Sequence, residues 1–463
     1  MMVIDQALEL QALVPAIRRL FELSAEKIIS LQNSWDAGRG TPVFTVRGVY
    51  TSRGWTEWTQ GFQFGSAILQ FDATGEERFL EIGRKGTLQF MASHVSHIGV
   101  HDHGFNNVST YGNLLRLIQE RRIPYDPWEE EFCKLALKTS GAVQAARWTE
   151  TGPGEGYIYS FNGPHSLFAD TIRSLRSLAL AYQLGHVLMA EKDRKVSLLE
   201  RLLCHAESTA EYNVYYGEGR DVYDVRGRVA HESIFNITDG SYRCPGTQQG
   251  YSPFTTWTRG LAWIICGYAE QLEFLATLPE EDFLGYGGKE TVLRKFLRPA
   301  EAACDFFIEN TPTDGVPYWD TGAPGLVRLG SYLERPSEPF NGFEPVDSSA
   351  AVIAAQGFLR LGKYLRERGE SARGDRYFRA GLTAARTVFS EPYLSTRRDH
   401  QGLILHSIYH RPNGWDYMPE GRVIPCGEAT MWGDYHAREL ALLIHRMAEN
   451  KPYYAFFLKS VAR

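Results

Sequence analysis

Apolar residues recur along this chain at helical spacing. Ile17, Leu20, Phe21, Ile28 and Leu31 mark one face of a first long helix. Trp257, Leu261, Ile264, Tyr268, Leu272 and Leu275 advance by threes and fours, as do Ala351, Ala354, Phe358, Leu361 and Leu365, and finally Ala437, Leu440, Ile444 and Met447. Such stripes are the buried faces of amphipathic helices. The pattern predicts about twelve of them, near 6–35, 58–75, 77–95, 104–121, 128–142, 165–185, 191–210, 255–277, 287–310, 347–368, 371–390 and 428–448. Two short apolar runs, near 43–50 and 402–409, fit strands, and β-content looks minor. Gly- and Pro-rich connections such as "TETGPGEGYIYSFNGPH" and "RCPGTQQGYSPF" lie between helices. No linker, low-complexity tract or fixed-period repeat divides the chain, which disfavours an open solenoid. Twelve helices in one unit spanning 1–463 have an obvious closed solution: six hairpins forming an inner and an outer ring, with function on the connecting loops.

Composition narrows the partners. Hydrophobic residues make up 43% and charged ones 22% of the 463 residues, and the net charge is -6. No basic footprint for nucleic acid exists, and no run of 18 apolar residues suggests a membrane span. The N-terminus lacks the basic-then-apolar pattern of a secretory signal, so a cytoplasmic location is expected. None of the six cysteines forms a C-x-x-C pair, and Cys266 and Cys304 fall in apolar helical patterns as plain buried thiols. Aromatic residues reach 13%, with 10 Trp and 24 Tyr. Most must be core; a surplus suits stacking on sugar rings.

The densest chemistry is "HVSHIGVHDHGFNN", which packs His94, His97, His101, Asp102 and His103 together. A metal centre needs three or four converging ligands. Here Gly99 interrupts the i, i+4 pair of His97 and His101, and no H-E-x-x-H pattern occurs, so no metal is expected. His94 and His97 read as solvated or hydrogen-bonded loop residues. Asp102 precedes a helical pattern, where a carboxylate is often simply an N-cap.

Asp170 stands in "FNGPHSLFADTIRSLRSLAL" among apolar residues, a costly place unless it is paired or faces a polar cleft. Arg173 and Arg176 are its nearest cations. In "TTWTRGLAWIICGY", Arg259 and Trp263 share a helix face; the plain alternative is a structural ion pair flanked by core tryptophans. Asp347-Ser348-Ser349 and Trp432-Gly433-Asp434-Tyr435 each open a helix, as capping residues do.

The order of these motifs resembles the unsaturated glucuronyl hydrolases and the related unsaturated rhamnogalacturonyl hydrolases, glycoside hydrolase families 88 and 105. The similar segments are "GWTEWTQGFQFGSAIL" with "ATGEERFLE", then "HDHGF", "FADTIRSLRSL", "QGYSPFTTWTRGLAW", "DSSAAVIAAQGFLRL", "LILHSIYHRP" and "MWGDYHARELAL", in family order over nearly the whole chain. The resemblance implies an all-α (α/α)6 barrel, in agreement with the helix count. It implies hydrolysis of oligosaccharides carrying a 4,5-unsaturated uronic acid at the non-reducing end, the products of polysaccharide lyases, without a cofactor. Asp102 and Asp170 match the family's two functional aspartates. Gln249, Arg259 and Trp263 match positions lining the sugar subsite; His101, Trp58 and Trp148 are further candidates for substrate contact. Two departures stand out. Gln248 replaces a frequent His, and Arg173 and Arg176 are expected to bring charge beside the second aspartate.

The implied substrate is a vinyl ether. Protonation at C4 leaves positive charge at C5 that the ring oxygen shares. Water adds at C5, and the resulting hemiketal opens to release the rest of the chain. A carboxyl holding its proton near neutral pH is required, and burial with a like charge nearby provides one. The expectation gives Asp170 the proton-donor and water-activating role, with Asp102 holding ring hydroxyls and tuning Asp170. Three alternatives stay open: a glycosidase on saturated uronides using the same aspartates, a sugar 2-epimerase using His101 and His103 as acid and base, and a non-catalytic sugar-binding protein. The expected partner is an oligosaccharide, not nucleic acid or membrane, with the chain a monomer or small homo-oligomer.

Overall fold

The computed structural model describes residues 1–54 and 57–457. Trp55 and Thr56 of the first motif lie outside the described residues. Twelve helices carry the architecture: α1 Leu10–Ser34, α2 Gln60–Thr74, α3 Glu77–Phe90, α4 over 103–119, α5 Pro127–Ala146, α6 over 171–183, α7 Leu198–Tyr212, α8 Thr258–Thr277, α9 Lys289–Glu309, α10 Ser348–Glu367, α11 Ser371–Val388 and α12 Met431–Ala448. A π turn, Val108–Gly112, interrupts α4. Several starts follow directly from capping chemistry. The carboxylate of Asp126 accepts from Trp128 N, with Pro127 in the first turn of α5; Ser197, Asp347 and Thr430 do the same for α7, α10 and α12.

The even-numbered helices pack in sequence, α2 on α4, α4 on α6, α6 on α8, α8 on α10, α10 on α12, and α12 returns to α2. That closure makes an inner ring. The odd-numbered helices cover it from outside, α1 on α12 and α2, α3 on α2, α5 on α4 and α6, and so on to α11 on α10. The fold is therefore an (α/α)6 barrel. Burial separates the rings as apolar patterning demands. Inner helices α8, α10 and α12 are buried almost all round, whereas outer helix α3 buries only Phe79, Leu80, Gly83, Gly86 and Thr87. Each fully buried Leu, Ile or Phe contributes about 1.5–3 kcal/mol by leaving water.

All six inner helices start at the same end of the barrel. Strands decorate that end: the hairpin β1 Phe44–Val46 with β2 Val49–Thr51, the hairpin β3 Trp148–Gly152 with β4 Glu155–Ile158, and a sheet in which β8 Glu232–Phe235 lies between β5 Ser166–Phe168 and β9 Tyr242–Gly246. A minimal hairpin pairs β6 Leu188–Met189 with β7 Lys195–Val196. The strand near 43–50 is present. The run 402–409 is not a strand: it makes only isolated bridges, Leu394 with Ile404 and Leu405 with Ala429. Asp434 accepts both Leu403 N and Ile404 N, and His406 has a φ of 65°, so the backbone cannot continue a ladder. The helix expected over 165–185 starts only after Asp170, because Ser166–Phe168 pairs with Glu232–Ile234 instead.

Arg173 and Arg176 correct the sequence-based expectation. Neither pairs with Asp170. Both turn into the barrel lumen, where Arg173 meets Glu270 at 2.7 Å and Glu439 at 3.1 Å, and Arg176 meets Glu439 at 3.5 Å. Arg360 joins them by binding Glu273 at 2.7 Å. Buried charges survive when paired this closely. The chain's last described turn closes the far end: the Tyr454 hydroxyl lies within hydrogen-bond reach of Glu439 and Asn113, and Tyr453 donates to Glu273. Among the described residues, no helix is long and apolar enough to cross a membrane.

Candidate active site

Asp102 is the residue immediately before α4, and Asp170 the residue immediately before α6. Both occupy N-cap positions, yet neither side chain caps its helix. They are turned instead into a cavity of about 370 Å³ at the end where the inner helices begin. Its walls come from loops preceding five of the six inner helices: Trp58 before α2, His101 and Asp102 before α4, Phe161 and Asp170 before α6, Gln248, Gln249 and Trp257 before α8, and Tyr409, His410 and Trp415 before α12.

Close packing of α4 on α6 brings the aspartates together. A Cβ on Gly104 would lie 2.1 Å from Ser174 O, so only glycine permits this approach. Ser174 uses the gap: its hydroxyl accepts from Gly104 N and donates to His101 O. Gln144 also donates to His101 O, at 2.8 Å. These bonds fix His101, whose Nε2 lies 3.1 Å from Asp170 Oδ1 and 3.8 Å from Asp102 Oδ1. Arg147 holds the loop before His101 by donating to the carbonyls of Ile98, Tyr159 and Ser160.

Sequence reasoning missed His231. It follows from strand pairing, because β5 and β8 run side by side and Ala169 N donates to His231 O. The ring is packed between Phe168 and Trp257. Its Nδ1 accepts from both Gln248 N and Gln249 N, so the ring proton sits on Nε2, which faces Asp170 Oδ2 at 3.9 Å. Burial pushes its pKa down to about 4, which keeps the ring neutral. The signal was a lone His ahead of a short strand, indistinguishable in sequence from a core histidine.

Electrostatics split the two carboxyls. Burial raises the pKa of Asp102, and the neighbouring Asp170 charge adds to it against the pull of His101. Burial also acts to raise Asp170, but the hydrogen bond from His101, followed by the charges of His101, His231 and Arg259, outweighs it and lowers the pKa. His101 is desolvated too, yet Asp102 and Asp170 hold its pKa above the ordinary value. A hydrogen bond to a charged group is worth about 1.5–3 kcal/mol, enough to reverse a burial penalty of one or two pKa units. These shifts run in opposite directions: they favour the proton on His101 and Asp102 and the charge on Asp170.

The remaining candidates divide. Arg259 lines the cavity but is spoken for: it binds Asp347 at 2.9 Å, donates to the carbonyls of Ile408 and Tyr409, and holds Gln249 Oε1 at 3.0 Å. It orients Gln249 and anchors the 408–409 loop. Trp58 lines the cavity and stacks on Trp432 at 5.0 Å. Trp263 also lines it, wedged against Phe105 and His436 and only 2% exposed. Trp148 does not line it; on β3 it packs under the Arg201 guanidinium at 3.8 Å. Phe161, thirteen positions further on, lines the cavity and stacks on His101. The other histidines of the 94–107 stretch diverge. His94 bonds Gln60 and Asn106, and His103 bonds Ser140 and the His97 carbonyl.

No family profile matches the chain. Among curated proteins it is similar to the unsaturated glucuronyl hydrolase of Bacillus sp. (strain GL1), with 25% identity over 407 residues, covering 84% of this chain and 87% of that protein. It is 24% identical over 409 residues to the unsaturated chondroitin disaccharide hydrolase of Streptococcus agalactiae serotype III (strain NEM316), covering 87% and 85%. Its fold matches the crystal structure of an unsaturated glucuronyl hydrolase specific for heparin, with a TM-score of 0.70, 18% identity, and coverage of 96% of this chain and 100% of that one. Along more than four-fifths of its sequence, and in its barrel fold, the chain is similar to the unsaturated glucuronyl hydrolases.

Proposed function

We propose that the chain is a glycoside hydrolase that releases a 4,5-unsaturated uronic acid from the non-reducing end of lyase-generated oligosaccharides by hydrating its vinyl ether. The observation that carries this reading is one nitrogen, His101 Nε2, standing within 4 Å of two buried carboxylates in an aromatic-walled, sugar-sized cavity. Cavities of about 300–1,000 Å³ are usual for small ligands.

Asp170 is the proposed donor. At rest it is a carboxylate accepting the His101 Nε2 proton. An entering uronate brings a further negative charge and expels water, and both raise the proton affinity of the carboxyls. The His101 proton then passes to Asp170 Oδ1, 3.1 Å away. Asp170 delivers it to C4. The cation at C5 captures a water, whose proton returns to Asp170 and from there to His101, so the pair ends the cycle as it began. Asp102 holds ring hydroxyls. Gln249, oriented by Arg259, is the proposed polar contact to the sugar, and Trp58, Trp415 and Phe161 are the stacking faces.

A second reading makes Asp102 the donor, and its raised pKa favours it. Kinetics separate the two: the donor's Asn variant loses kcat, whereas the binding residue's Asn variant chiefly raises KM. The epimerase reading loses its pair, since His103 is committed to Ser140 and the His97 carbonyl. The overall test is incubation with a panel of lyase-generated disaccharides, followed in the ultraviolet. Loss of the conjugated chromophore is expected. Turnover of saturated uronides with the chromophore left intact in the unsaturated ones would overturn the proposal.

A further inference from the structure

The outer wall carries an apolar surface unrelated to the cavity. On α5, Trp128, Phe132 and Leu135 stand at i, i+4 and i+7 and point to solvent, at 84%, 43% and 63% exposure. An amphipathic outer helix has one apolar face for the ring beneath it, and α5 already buries Cys133, Ala136 and Leu137 there. This exposed stripe is a second apolar face. Beside it, between α3 and α5, runs a groove of about 600 Å³ lined by Leu88, Tyr125, Trp128 and Phe132 and floored by Leu114 of α4. The Arg84–Glu129 ion pair, at 2.6 Å, bridges it.

We propose that this face joins two copies of the chain in a two-fold dimer, the Trp128 stripe of each copy seated in the α3–α5 groove of the other. A knob and a hole side by side on one surface are self-complementary, which is the condition for an isologous interface. The stripe also has the anchor spacing of a helix laid in a groove. The area suffices. With about 150–250 Å² for an aromatic side chain, the exposed parts of Trp128, Tyr125, Phe132, Leu88 and Leu135 total roughly 600–700 Å². A standard interface takes about 800 Å² per partner, a little over half of it apolar. A monomer seldom shows so large a contiguous apolar patch. The face lies on the outer wall, so the dimer leaves the cavity mouth open.

The test is sedentation-velocity ultracentrifugation of the full chain, alone and as Trp128→Glu and Leu135→Glu. Wild type is expected at twice the chain mass at micromolar concentration. Each variant is expected to weaken association by about 30-fold or more, as loss of a central hot spot does, with circular dichroism and turnover unchanged. Two results overturn the proposal: a wild type that stays monomeric up to about 100 μM, or a dimer that neither substitution weakens. As a second check, a Phe132→Cys variant is expected to form a disulfide-linked dimer under oxidation that a Val327→Cys control, exposed on another part of the surface, does not form; equal cross-linking of both also overturns it.

Discussion

His101 Nε2 meets Asp170 Oδ1 at 3.1 Å, tying the loop before α4 to the first residue of α6 and placing a proton where the reaction is proposed to need one. Replacing Asp170 with Asn removes the proposed donor. Turnover is expected to fall by about 10²–10⁴-fold, the usual worth of general acid–base catalysis, with KM and thermal stability little changed. Asp102→Asn is expected to raise KM more than it lowers kcat. Steady-state kinetics on an unsaturated disaccharide checks both, and the opposite pattern reverses the two roles.

The same contact sets a pH dependence. His101 is held above its ordinary pKa of 6.5 and supplies the proton that loads Asp170. Turnover is expected to decline only as pH rises beyond 6.5 and His101 gives up its proton. In His101→Asn the proton resides on carboxyls alone, so the basic limb is expected to move down by at least about one pH unit. A pH–kcat profile of the two proteins checks this.

Stability has its own acid limb. His94, His231, His406 and His410 are pushed down to about 4, and His103, His205 and His436 to about 3, each chiefly by burial. The folded state binds fewer protons than the unfolded chain between these values and 6.5. Their contribution is therefore complete above pH 6.5 and is lost as pH falls towards 4. For His231 alone the loss is about 3 kcal/mol. The melting temperature is expected to drop steeply between pH 6.5 and 4, and less steeply in His231→Gln.

The lumen charges give a prediction about folding. Arg173→Met strips Glu270 and Glu439 of their closest cation and leaves them buried. The expected cost is about 3–5 kcal/mol. Adding Glu270→Gln to the same chain is expected to recover part of it. Denaturant titration of the single and double variants measures the difference.

Phe161 and Trp148 test the corrected cavity wall. Phe161→Ala is expected to raise KM about tenfold by removing a stacking face near His101. Trp148→Ala leaves the wall intact and is expected to leave KM unchanged, costing only the packing under Arg201.

Much of this was legible in the chain. Stripes such as Trp257–Leu275 located the inner helices, because an inner helix must be apolar on nearly every side. Asp170 was legible as a candidate because a carboxylate among apolar residues demands a partner or a cleft; Asp102 looked like an ordinary N-cap and stood out only through the order of the motifs. Direction was not legible. Arg173 stands three residues from Asp170, yet the turn of α6 points it at Glu270 and Glu439, residues about a hundred and more than two hundred and fifty positions away. His231 was hidden because its place depends on the register of β5 against β8, which no local pattern encodes. Trp148 and Phe161 show the same limit: the β3–β4 hairpin and the loop after it decide which ring reaches the cavity.

The shared starting end of the inner helices has a consequence of its own. Each helix terminus carries a partial positive charge from its aligned peptide dipoles, and five of these ends, those of α2, α4, α6, α8 and α12, border one hollow. Asp102 and Asp170 do not cap their helices, so their negative charge faces the hollow and not the first-turn amides. The summed dipoles thus give the hollow a partial positive charge that favours an ionised uronate, despite the chain's net charge of -6.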